Sequence, residues 1–134
     1  MLKALQIWLV IFGATCALIG AAHFFGGQWT YIGGGEVNAT MDSELRFYSL
    51  LFVAFGFTAI WAARDIRGRA KVIDVLSAVL ILGGLGRLLA WAASGAPHAF
   101  FVAMIPVEIL VGLAQLVAVR AVTREPQPGV PSSR

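Results

Sequence analysis

Four apolar runs divide the chain, at roughly residues 4–24, 45–63, 72–93 and 99–122. Each is close to the roughly 20 residues that a helix needs to cross about 30 Å of hydrocarbon. The pattern therefore predicts an all-α fold, an integral membrane four-helix bundle. Its transmembrane domain fills residues 1–124, and a polar tail at 125–134 carries three prolines and too few apolar residues to order itself. The first run is longer than the roughly 7–15 residues of a secretory signal core, which predicts a retained span.

Positions three or four apart share one face of a helix. On that spacing the first run aligns Gly13, Cys16, Gly20 and His23, and the second aligns Arg46, Ser49, Val53, Gly56 and Ala63. The third aligns Asp74, Ser77, Gly84, Arg87, Trp91 and Ser94, and the fourth Met104, Glu108, Gly112 and Gln115. Helices in lipid associate through small residues and interhelical hydrogen bonds, so these stripes are expected to form a shared bundle interior. Pro106 should loosen the fourth helix near Glu108 by freeing a backbone carbonyl. Asp74 suits the first turn of the third helix, where the dipole favours an acid.

Arg64, Arg67, Arg69 and Lys71 crowd the link between spans two and three, while Lys3, Arg120 and Arg124 mark the ends of the chain. The positive-inside rule assigns this set to the cytoplasm, so both termini are expected there. Residues 26–44 and the turn Ser94-Gly95-Ala96-Pro97-His98 then face outward. Asn38-Ala39-Thr40 matches a glycosylation acceptor, a pattern too short to carry a function.

Composition agrees with this reading. Hydrophobic residues make up 59% and charged residues 13%, with a mean hydropathy of +0.83, outside the range of an ordinary soluble domain. The net charge of +3 is explained by basic residues at span ends, so no nucleic-acid partner is expected. Cys16 is the only cysteine, which excludes an internal disulfide and a Cys-x-x-Cys redox pair.

Candidate chemistry rests on two charges inside apolar runs, Arg87 and Glu108. Ionisable residues within spans are rare and mark a functional site by default. At 1.5 Å per residue, Arg87 lies about 10 Å below the helix end near Ser94, and Glu108 about 13 Å below the one near Ala99. They are thus natural partners. Arg46 and His23 sit at the same end of their spans, which predicts one polar cluster of His23, Arg46, Arg87 and Glu108, with Trp91 and His98 beside it. A structural ion pair, a pocket for an anionic or lipid-like ligand, and a proton-coupling Glu108 are its alternative readings. No catalytic nucleophile motif, metal-ligand spacing, phosphate loop or cofactor motif is present, so no catalytic residue, metal or cofactor is expected.

At Glu44-Leu45-Arg46-Phe47, Gly86-Arg87-Leu88-Leu89, Gly95-Ala96-Pro97 and Glu108, the chain resembles a bacterial family of small four-span membrane proteins, domain-of-unknown-function family 4345. The resemblance covers nearly everything except the tail. It implies that the arginines of spans two and three and the acid of span four are recurring family positions, and it implies no activity. A looser likeness to four-helix membrane proteins of the DoxX type is one of architecture alone. The leading expectation is a multi-pass protein of the bacterial inner membrane, a non-enzymatic accessory or small-ligand- or lipid-binding component. Its expected partners are the bilayer and either a larger membrane protein or further copies of itself. A small oligomeric proton-coupled transporter using Glu108 is the alternative, and a membrane enzyme acting on a lipid or quinone is the third reading.

Overall fold

The computed structural model describes residues 1–125; the expected tail therefore lies almost wholly outside the described residues. Four helices follow in order: α1 (Leu2–Gly26), α2 (Ala39–Ala63), α3 (Ala70–Ser94) and α4 (Ala99–Arg124). A single 3-10 turn, Gly27–Thr30, follows α1. All four helices are long and apolar enough to cross a membrane. The chain is thus an all-helical, four-span membrane protein.

Local chemistry sets the helix limits. Helix α2 begins well before the apolar run because Asn38 caps it, its side-chain oxygen accepting the Met41 N–H at 2.9 Å. That is the role of the residue in the glycosylation-like triplet. Helix α3 stops at Gly95, whose φ of 91° is open to glycine and strained for other residues. His98 caps α4, accepting the Phe100 N–H at 3.3 Å. Helix α4 runs unbroken through Pro106. Asp74 falls beyond the first turn of α3, which begins at Ala70, and its buried Oδ1 has no hydrogen-bond partner among the described residues.

The small-residue stripes do not share one interior. They zip the helices in two pairs, α1 on α2 and α3 on α4, while contacts between the pairs are sparse. In the first pair a methyl group added at Gly13 would lie 2.5 Å from the Gly56 carbonyl oxygen, and one at Gly20 would lie 2.7 Å from that of Ser49. In the second pair, a methyl group at Gly112 would lie 2.7 Å from the Ser77 carbonyl oxygen, and one at Gly84 would lie 3.0 Å from that of Ile105. Backbones this close require glycine, and the contact area gained replaces the hydrophobic drive that lipid removes.

Ser77 and Gln115 add a polar contact inside the second pair, 3.2 Å apart and both buried. The Ser77 hydroxyl has one proton and already lies 2.7 Å from the Ile73 carbonyl. A half-turn of the Gln115 amide would make its nitrogen the donor to Ser77, leaving that proton to Ile73.

The pairs meet at the end that carries the start of α1 and the close of α4. There Leu5 and Leu9 of α1, Ala62 and Ala63 of α2, Ile66 of the link, Ile73 of α3, and Val119 and Val122 of α4 form one buried cluster. The link itself is tight: Asp65 Oδ1 accepts the Gly68 N–H at 3.0 Å, and the Arg69 guanidinium covers the Trp61 ring at 3.9 Å. Toward the other end, α2 stands apart from α3 and α4 across an apolar cleft.

The glycine contacts generate a prediction. Gly13→Leu should destabilise the protein by about 1–3 kcal/mol, the usual cost of forcing side chains into a packed interface. Gly86→Leu is the control, because a Cβ there meets nothing within 4 Å. Thermal unfolding in detergent should show a lower midpoint for Gly13→Leu alone; equal midpoints would contradict the account.

Candidate functional site

Arg87 and Glu108 come together on the face of the second pair that lines the cleft. Arg87 Nε lies 3.0 Å from Glu108 Oε1 and 2.9 Å from Oε2, and Nη2 lies 2.9 Å from Oε1. Both carboxylate oxygens are engaged by one guanidinium, the geometry in which an arginine pair is strongest. The Glu108 side chain is 14% exposed and that of Arg87 is 37% exposed. Glu108 is therefore the better covered of the two, and both line the cleft. The Phe101 ring, 5.2 Å from the guanidinium carbon, gives Arg87 an aromatic face as well. Nη1 has no partner among the described residues.

The cleft holds about 300 Å³. Tyr48, Leu51, Phe52 and Phe55 of α2 form one wall; Val79, Leu80, Gly83 and Arg87 of α3, with Glu108 of α4, form the other. The pattern of small and polar residues does not single out Tyr48, Phe52 and Phe55. Their spacing puts them on one face of α2, which is also how lipid-facing aromatics are spaced. A second hollow of about 350 Å³ lies beneath the loop after α1, between Tyr31, Gly33, Leu45, Pro97, His98 and Phe101 among others.

The other expected members of the polar cluster are elsewhere. Arg46 pairs with Asp42 one turn earlier, Nε to Oδ2 at 2.7 Å, and its Nη1 donates to the Phe24 and Phe25 carbonyls at 2.8 and 3.3 Å. A cation is favoured at the C-terminal end of a helix, where carbonyls lack intrahelical donors. Arg46 thus ties the start of α2 to the end of α1. Gly27, with φ 56°, lies against the same guanidinium, and a side chain there would collide with it.

His23 also serves the loop. Its Nδ1 is 2.6 Å from Thr30 Oγ1, and that hydroxyl lies 2.8 Å from the Gly27 carbonyl. Because the Thr30 proton goes to the carbonyl, His23 Nδ1 must be the donor. The imidazole stacks on Tyr31 at 4.1 Å, and the Tyr31 hydroxyl lies 2.9 Å from Ser49 Oγ. Trp91 is exposed one turn beyond Arg87. His98 caps α4 and packs against Gly33, so it is a loop contact. The structure therefore holds two separate arrangements, a loop clasp around Arg46 and His23, and the Arg87–Glu108 pair in the cleft.

These geometries separate by mutation. Removing one member of a desolvated ion pair strands the other, so Arg87→Ala and Glu108→Gln should each destabilise by about 2–3 kcal/mol. The double change to leucine should recover most of that loss. Detergent unfolding midpoints check this, and a double variant no better than the single ones would contradict it.

The family described as "Domain of unknown function (DUF4345)" matches residues 4–119. Neither a curated protein nor a solved structure matches the chain. The match runs through all four spans and includes Arg46, Arg87 and Glu108. The chain belongs to this DUF4345 family of proteins of unknown function.

Proposed function

We propose that the protein holds a membrane amphiphile in the cleft between its two helix pairs, as a non-enzymatic component of the bacterial inner membrane. The basic residues at the end carrying the chain termini support a cytoplasmic placement of that end. The cleft then opens within the opposite half of the bilayer, where lipid-like molecules are the abundant candidates.

One observation carries the reading: among the described residues, a largely apolar cleft contains a single charged pair, and one guanidinium nitrogen of that pair has no partner. Ligand sites are usually apolar hollows of about 300–1,000 Å³ with a few placed polar groups. The aromatic wall of Phe52 and Phe55 suits a hydrocarbon chain, and Arg87 Nη1 and the Tyr48 hydroxyl suit a polar head. The bidentate contact with Arg87 engages both oxygens of Glu108, which favours a fixed pair over a coupling carboxylate.

Gly83→Leu tests the site. A Cβ at Gly83 meets only Glu108 Oε2, at 3.6 Å, so the substitution has room at its base. Leaving glycine also favours the helix by about 0.5–1 kcal/mol. The longer side chain should fill the cleft while the protein stays folded. Native mass spectrometry should find co-purifying amphiphile on the unaltered protein and on Gly86→Leu, and lose it on Gly83→Leu. Equal retention by all three would sink the proposal.

A further inference from the structure

We infer that the cleft selects an uncharged amphiphile, with a hydroxyl or carbonyl head on a hydrocarbon chain, over an anionic one. The inference rests on the proposed cleft site and specifies its ligand. Among the described residues lining the cleft, Arg87 and Glu108 are the only charged ones, and they have opposite signs. Both oxygens of Glu108 contact the guanidinium at 2.9–3.0 Å. The positive charge that a phosphate or carboxylate head would seek is already neutralised.

An anionic head drawn to Nη1 would approach the Glu108 carboxylate through a medium that screens charge poorly. It would also give up its own hydration, and the described residues that line the cleft supply no second cation: Arg46 is committed to Asp42 and the end of α1. A hydroxyl or carbonyl oxygen meets neither penalty. It needs one donor, and Nη1 is one, on a cleft to which α2 brings Leu51, Phe52 and Phe55 for the chain and no charged side chain. Glu108 thus acts as a built-in filter against anionic lipids, and its carboxylate sets the class of ligand without having to touch it.

The probes are monooleoylglycerol and oleoyl lysophosphatidate, which share a chain and a glycerol and differ in the phosphate. Each is added at equal concentration to the full-length protein, and bound adducts are compared by native mass spectrometry. The unaltered protein should favour monooleoylglycerol by about tenfold or more, because like charges juxtaposed in a site discriminate strongly. Glu108→Gln leaves Arg87 without its counter-charge and should reverse the order. Arg87→Leu with Glu108→Leu removes both charges and should leave no more than a weak preference, which decides the matter if Glu108→Gln does not fold. Equal binding of the two probes by the unaltered protein, or a preference for lysophosphatidate, overturns the selectivity while leaving the cleft as a lipid site. Binding of both probes undiminished by Gly83→Leu overturns the site itself.

Discussion

Close backbone approach at glycine is the constraint on which the rest of the structure depends. In lipid, apolar side chains gain little by leaving their surroundings, so helices hold together where small residues let backbones touch. Gly13 against Gly56, and Gly84 and Gly112 against the facing backbones, use that opportunity inside each pair. Little of it remains for the contact between pairs. The two halves are joined at one end by the cluster around Leu9, Ile66 and Val122, and α2 is left facing α3 and α4 across open space. The cleft follows from how the glycines are distributed.

The ion pair lies on that open boundary. An isolated charge at this depth would be strongly disfavoured, and bidentate contact makes the pair tolerable without removing it from reach. Glu108 is the better covered partner, and both residues line the cleft. A purely structural pair would be served as well by a position inside the α3–α4 interface, where Ser77 and Gln115 sit. Its position at the cleft wall is what makes it a candidate for binding as well as for stability. The loop clasp of Arg46, Asp42, His23 and Tyr31 does a different task, fixing the chain reversal between α1 and α2.

Much of the fold was legible because span length and hydropathy depend on local sequence alone. The Arg87–Glu108 contact was also legible, since rise per residue fixes depth and an intramembrane charge needs a partner. Pairing of the stripes was not: each helix offers one small face, and nothing local says whether four faces converge or match two by two. Depth alone points Arg46 toward Arg87, although Asp42 four residues earlier is a helical-spacing partner that the sequence displays openly. Tyr48, Phe52 and Phe55 carry no mark in sequence, because an aromatic that lines a cleft and one that faces lipid follow the same spacing.

The central claim is that an amphiphile occupies the space between the pairs, and labelling from inside the bilayer tests it most directly. A monoacylglycerol with a photoreactive chain, irradiated with the protein in membranes, should label α2 around Phe52 and Phe55 and α3 around Val79 and Gly83. Labelling spread evenly over lipid-facing positions such as Leu18, Leu110 and Val117, with no enrichment at the cleft, would contradict the account.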